Sequence, residues 1–537
     1  MPRTNHRFCF LSTQMCILLV AYCWSLSTDV AGAMEPDANS PHAIRVGVKE
    51  CAACHTQPGI LYPKVGVTRY VRLTEAAQWF AWDKHAHAYE LVRQDLKYDE
   101  WDNEPRHSNR KTRDILKLLG WLPTGTEFQR QCLTCHAGLE LEEDVDSRLV
   151  RDNLPFGVQC ESCHGKGSLY TRTDLHQQAT WRSKSVEEKR SYGMHDLANP
   201  VTAARVCLSC HQGDIKQGRF VTHAMYAAGH PPLPPFELQT FLDAMPPHWS
   251  PLEAKPYTNE GDNRPDGFEY QREVYLTRMD LDPEASTDVM KQRISSHYAR
   301  SQRSQIGAQI ANDSAVMLIL DAANQPNLWG DYAFYDCMGC HQTLSADKPR
   351  YRPPGRVPGR AFPSISMDVT EQIFGSASDA WTNAFNKTPF GDPDRLRSIS
   401  PHIESVIQQR EQNAIVQSRR WVDAPTVRAW IIQMFEERRQ KLSDYWVARQ
   451  TAWMVLVAVD ELIRKGAMEE HEADPLRDEL TLLLRLDLRI DQKQSVLVRQ
   501  AEILETANTF DSRRAAELLE SLIQIANRPL VKPGIAN

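Results

Sequence analysis

Gly157-Val158-Gln159-Cys160-Glu161-Ser162-Cys163-His164-Gly165-Lys166-Gly167 is the stretch on which the reading of this chain turns. Its centre is a Cys-x-x-Cys-His unit. The same unit recurs at Cys51–His55, Cys132–His136, Cys207–His211 and Cys337–His341, making five copies in 537 residues. Ten of the 13 cysteines lie in these units; the other three, Cys9, Cys16 and Cys23, lie near the N-terminus. Each unit reads as a c-type haem attachment site, in which two thiols add to the haem vinyl groups and the adjacent histidine reaches the iron. The expected cofactor is haem c (five, covalently attached). Cys51, Cys54, Cys132, Cys135, Cys160, Cys163, Cys207, Cys210, Cys337 and Cys340 would form the thioethers, and His55, His136, His164, His211 and His341 would be the proximal ligands.

Other readings of cysteine pairs explain the spacing less well. A zinc site gives no reason for a histidine directly after every second cysteine. A thioredoxin-like motif would occur once, beside a strand–helix unit. A disulfide framework would not hold every pair at one short spacing. No Cys-x-x-Cys-Lys variant is present.

Residues 1–33 read as a secretory signal peptide. Arg3, His6 and Arg7 form a positive start, Met15 to Leu26 an apolar core, and Ala31-Gly32-Ala33 a small-x-small cleavage pattern. An uncleaved anchor is the alternative. Cleavage would remove Cys9, Cys16 and Cys23, so every remaining cysteine would hold haem. The expected compartment is the periplasm. The formal charge is −7, or −8 after loss of Arg3, Arg7 and Asp29. Nothing in that balance suggests nucleic acid. Mild acidity permits steering towards a basic redox partner. The expected partners are other redox proteins, with a membrane-associated redox complex as a further possibility.

All five units lie between residues 51 and 341, and residues 342–537 contain no cysteine. The expected organisation is a pentahaem domain over 34–345, a linker over 346–365 and a haem-free helical domain over 366–537. The first is poor in periodicity, so the porphyrins themselves would supply its core. A helix is predicted over Leu73–Leu96, with Trp79, Trp82 and Leu91 as apolar positions, and another over Arg113–Trp121. The linker carries Pro349, Pro353, Pro354, Pro358 and Pro363, which neither a helix nor a central strand accommodates. Its arginines either face solvent or pair with haem propionates. In the last domain Ser443 is predicted to cap a helix over Asp444–Lys465 that ends at Gly466. Asp474-Pro475 reads as a helix start, followed by the stripe Leu476, Leu480, Leu483 and Leu484. Asp511–Asn527 repeats that pattern with Ala515, Leu518, Leu519 and Leu522, so a hairpin or small bundle is expected. The fold class is mainly α.

The second axial ligand decides between carrier and enzyme, because a bis-histidine iron only exchanges electrons while an open face binds a small molecule. The candidate distal ligands are His85, His176, His223, His230, His248 and His297. His85 and His87 are two apart and point to different faces, so at most one reaches a given iron. His107 and His195 stay open. His42, His402 and His471 are not expected to be ligands.

The pattern resembles the multihaem cytochrome c-554 family over roughly residues 45–250. The matching pieces are Cys51-Ala-Ala-Cys-His, Trp82-Asp-Lys-His85-Ala-His-Ala88, Cys132-Leu-Thr-Cys-His, the phrase over 157–167 and Cys207-Leu-Ser-Cys-His. The resemblance implies a tetrahaem, mainly helical core, with short helices and loops wrapped around stacked and angled haems, that moves electrons in the periplasm. It implies His85 rather than His87 as a distal ligand, His176 as another, and His223 or His230 as a third. It also makes the haem on His136 the candidate without a protein sixth ligand. The fifth unit and the long C-terminal part have no counterpart in that family.

The leading expectation is therefore a periplasmic multihaem electron carrier rather than an enzyme. The alternative is an oxidoreductase acting on a small nitrogen or sulfur species at one five-coordinate haem. A third reading is a subunit of a larger complex, docked through its C-terminal helices.

Overall fold

The computed structural model describes residues 43–56, 73–93, 107–122, 125–141, 143, 147–176, 181, 184–249, 292, 296–334, 378–386, 391–486, 506–507 and 509–528. The leader over 1–33, the fifth Cys-x-x-Cys-His unit and the linker over 346–365 lie outside the described residues. Among the described residues the chain is helical, and the one β contact is an isolated antiparallel bridge between Asp214 and Arg219. No helix among them is long and apolar enough to cross a membrane.

The first part is built from short helical pieces, and each described unit closes one of them: Val48–His55, Thr134–His136, Cys160–His164 and Pro200–His211. Gly165 stops the third piece at its histidine, with φ +86 and its N–H on the Glu161 carbonyl. The second is reached through a wide i→i+5 turn over Gln129–Leu133, a geometry that recurs at functional sites. The fourth is the longest, started by the Asn199 side chain with Pro200 in the first turn.

The helix predicted over Leu73–Leu96 is broken in the structure. An α-helix runs from Glu75 to Trp82, Asp83 is extended, and a 3-10 turn follows over Lys84–Leu91. The Asp83 carboxylate accepts the His85 N–H, and such local capping competes with continued helix. Trp79 is buried as expected, but Trp82 and Leu91 are 61% and 48% exposed. The helix predicted over Arg113–Trp121 spans His107–Leu119.

The Pro200–His211 helix lays Val201, Ala203, Ala204 and Leu208 on the Ala299–Ala323 helix. That long helix also packs against Leu238–Ala244, Pro393–Ser418 and Tyr445–Arg464, so it is buried almost all round. An apolar stripe would not suffice for such a position, and the sequence shows none. Several of its polar groups are matched instead, although the Asn312 side-chain oxygen is buried without a partner among the described residues. Asp313, fully buried, accepts from Arg410 Nε at 3.0 Å, and Glu461 accepts the N–H groups of Arg300 and Ser301 that start the helix. Breaking a buried pair such as Arg410–Asp313 typically costs about 3–5 kcal/mol.

The last core gathers around Tyr445–Arg464, where Ala452 to Val459 is buried except for the half-buried Leu456, as a core segment should be. The cap is Asp444, not Ser443: its carboxylate accepts from the N–H groups of Trp446 and Val447. The Asp474-Pro475 start is also corrected, because the helix runs Glu470–Leu484 with Pro475 inside it. Glu470 and Glu472 sit in its first turn, where carboxylates favour the positive end of the helix dipole. Leu480 and Leu484 are buried as predicted, and they meet Ala515, Leu518, Leu519 and Leu522 of the Ser512–Ala526 helix in one core.

Candidate haem-binding centre

Glu161, between the two cysteines of the third unit, organises the first. It is 4% exposed, and its carboxylate accepts the N–H groups of Val46, Gly47 and Gly167. Gln159 and Asn153 both accept the Val48 N–H, so the start of the Val48–His55 helix is held by the chain around Cys160. The thiols follow. The Cys51 thiol lies beside that of Cys160, and the Cys135 thiol beside that of Cys210. The partner thiol and burial push Cys51 and Cys135 far above the ordinary thiol range. None of the eight described cysteines is in a disulfide. The first unit thus meets the third, and the second meets the fourth.

The histidines carry the rest of the geometry. His55 and His176 stand with ring centres 6.2 Å apart, His85 and His211 6.0 Å, and His164 and His248 6.3 Å. Two imidazoles that share one metal ion at about 2 Å each have ring centres about 6 Å apart. Each pair joins a histidine that follows a cysteine pair to one from a remote segment. His85 stands beside the histidine of the fourth unit, His176 beside that of the first and His248 beside that of the third.

Several rings are also oriented from behind, as ligating histidines usually are. His55 Nδ1 meets Glu75 and His85 Nδ1 meets Asp83, each at 2.9 Å. His136 Nδ1 meets the Ala88 carbonyl at 3.0 Å, and His230 Nδ1 the Pro231 carbonyl at 2.8 Å. A carbonyl can only accept, so the proton of those two rings is on Nδ1 and Nε2 is left for a metal. Desolvation lowers His164 to about 4 and His211 to about 3, which keeps both imidazoles neutral, the form that ligates. His85 behaves oppositely: burial works to lower it, but the Asp83 hydrogen bond and charge outweigh that and raise it. His230 is lowered to about 4, first by desolvation and then by the neighbouring His136.

The other predicted residues fall elsewhere. His223 packs edge-on to Tyr332 at 5.4 Å, and its N–H donates to Asp331. His297 lies against Trp421 at 4.9 Å, and its Nδ1 accepts the Val422 N–H, so its proton is on Nε2. His195 Nδ1 meets the Cys163 carbonyl at 2.9 Å. His87 turns away from His85, with Nε2 on the Phe80 carbonyl and Nδ1 on Glu90. Glu75, Asp83, Gln159 and Glu161 were not singled out from sequence. A carboxylate two residues before a histidine, as in Asp83-Lys84-His85, is the signal that could have found one of them.

The residues present fit haem c: paired thiols at helix ends, neutral Nε2 atoms, and opposed imidazoles at the spacing of two axial ligands. Residues 50–165 match the family model described as cytochrome c554 and c-prime. No match was found among curated proteins or among solved structures.

Proposed function

Starting from a c554-like multihaem cytochrome region over residues 50–165, whose family supports a c-type electron carrier with covalently bound haem, we propose that the chain is an exported pentahaem electron-transfer protein. Three cross-chain histidine pairs at 6.0–6.3 Å carry this reading. The proposed ligand sets are His55 with His176, His164 with His248 and His211 with His85. For His136 we propose His230 as the second ligand, because His136 is a near neighbour that helps to lower His230 and both rings are held at Nδ1 with Nε2 left over; that favours a closed site where the family resemblance alone implied an open one. Export rests on the 1–33 leader pattern, and the count of five on the Cys337–His341 unit.

Haem supplies a one-electron couple at the iron. The chain does the remaining work. With haem bound, His55 and His176, His164 and His248, and His211 and His85 would hold the iron from both sides and would leave no place for a small molecule. Rings held at Nδ1 by Glu75, Asp83 and the Ala88 carbonyl would keep their orientation as the bound iron changed charge, which would lower the reorganisation that electron transfer requires. The contacts between the first and third units, and between the second and fourth, would hold two pairs of haems close together.

EPR and optical spectra of the purified oxidised protein test this, with intact mass to count haems. Five attached haems, all low-spin and indifferent to cyanide or nitric oxide, are expected. A high-spin component that shifts on adding either ligand would overturn the carrier reading in favour of the oxidoreductase.

A further inference from the structure

Arg219 is buried among the attachment loops and belongs to none of the ligand sets above. Its guanidinium donates from Nε to the Thr134 carbonyl at 3.1 Å, from Nη1 to the Ser209 hydroxyl at 2.8 Å and from Nη2 to the Leu139 carbonyl at 3.5 Å. Thr134 and Ser209 are equivalent positions, each directly before the second cysteine of its unit. One side chain therefore holds the 132–136 and 207–211 loops together. Its backbone is pinned in turn by the bridge to Asp214, with N–H to carbonyl distances of 2.8 and 2.6 Å. The Ser209 hydroxyl, having accepted from Arg219, lies 3.8 Å from Cys210 Sγ.

All three acceptors are neutral. A clamp between two loops needs only donors, and a neutral one would avoid the desolvation that burying a full charge entails. Arginine stays protonated throughout the accessible pH range, so the charge is permanent. In a low-dielectric interior, a positive charge that is not cancelled favours the gain of an electron beside it.

We propose that Arg219 is the electrostatic set-point of the haem pair carried by the 132–136 and 207–211 loops: its charge favours the reduced state there, so an electron entering the chain comes to rest on that pair. This rests on the haem assignment of the preceding subsection. The electron comes from a reduced redox protein and leaves to an oxidised one, and no bond is made or broken. Arg219 is a positioning residue, since it touches the attachment loops rather than the irons.

The test is a redox titration of the holoprotein, followed optically and by EPR, for Arg219→Gln and Arg219→Lys, with intact mass on each. In Arg219→Gln, reduction of one or both haems of this pair is expected to weaken at least tenfold, about 59 mV for a one-electron couple, while the other haems titrate as before. Arg219→Lys, which keeps the charge, is expected to follow the unaltered curve. A fully loaded Arg219→Gln protein with unchanged midpoints would overturn the proposal, as it would if a propionate already neutralised the guanidinium. If Arg219→Gln loses haem, Arg219→Lys decides: midpoints that hold support the charge, and midpoints that fall refute it. Unaltered protein lacking haem on either loop would refute the haem assignment instead.

Discussion

His85 stands edge-on to His211, with ring centres 6.0 Å apart and ring planes at 90°, although the two come from distant parts of the chain. Asp83, 2% exposed, holds His85 from behind. His85→Ala should open one axial position opposite His211. A new high-spin EPR signal that responds to cyanide, from one haem only, is the expected result. Asp83→Asn should keep the ring in place but withdraw the carboxylate charge, so one haem should stay low-spin and titrate at a higher potential.

Gly157 makes that arrangement possible. Its φ is +60, and a Cβ there would lie 2.4 Å from the His85 carbonyl oxygen, which accepts the Val158 N–H at 2.8 Å. Gly157→Ala should cost about 1–3 kcal/mol in backbone strain and displacement of that loop. A lower thermal midpoint, with partial conversion of one haem to high spin, would bear this out. An unshifted midpoint would show that the 85–88 backbone can yield.

Glu161→Ala leaves three N–H groups of the 46–47 and 167 backbone without their acceptor. Stranding buried donors of this kind typically costs about 1–3 kcal/mol each. Because the Val46–Gly47 segment leads into the Cys51 helix, intact mass should show haem missing first from the first unit. Full loading at wild-type stability would contradict that role.

Asp313 provides a pH dependence remote from the histidines. Burial raises its carboxyl to about 6, and the Arg410 charge only partly opposes this. A carboxyl raised above its unfolded value near 3.8 binds more protons folded than unfolded between pH 4 and 6, so its contribution to stability falls as pH rises through that window. The expected loss is roughly 3 kcal/mol. Asp313→Asn should flatten the slope when denaturant midpoints are compared at pH 4 and pH 7. An unchanged slope would assign it to other groups.

The mainly helical class, the helix near 445–464 and the packed leucine stripes of the last two helices were legible in sequence, because side-chain periodicity and caps act over a few residues. The five Cys-x-x-Cys-His units were legible as a local spacing, and each of the four described ones closes a helical piece. Local rules misplaced three boundaries: at Asp83 and Asp444 a carboxylate takes the N–H groups that follow it, and at Pro475 the helix starts earlier, at Glu470, without a side-chain cap. Which imidazole faces which is a different kind of fact. His176 meets His55, His248 meets His164, and His85 meets His211 only because Gly157, Glu161 and the Ala299–Ala323 helix bring remote segments together. That is long-range packing, and no periodicity along the chain records it. The same holds for Arg219: in sequence it is one arginine after a glycine, and only the folded chain sets its charge between two attachment loops.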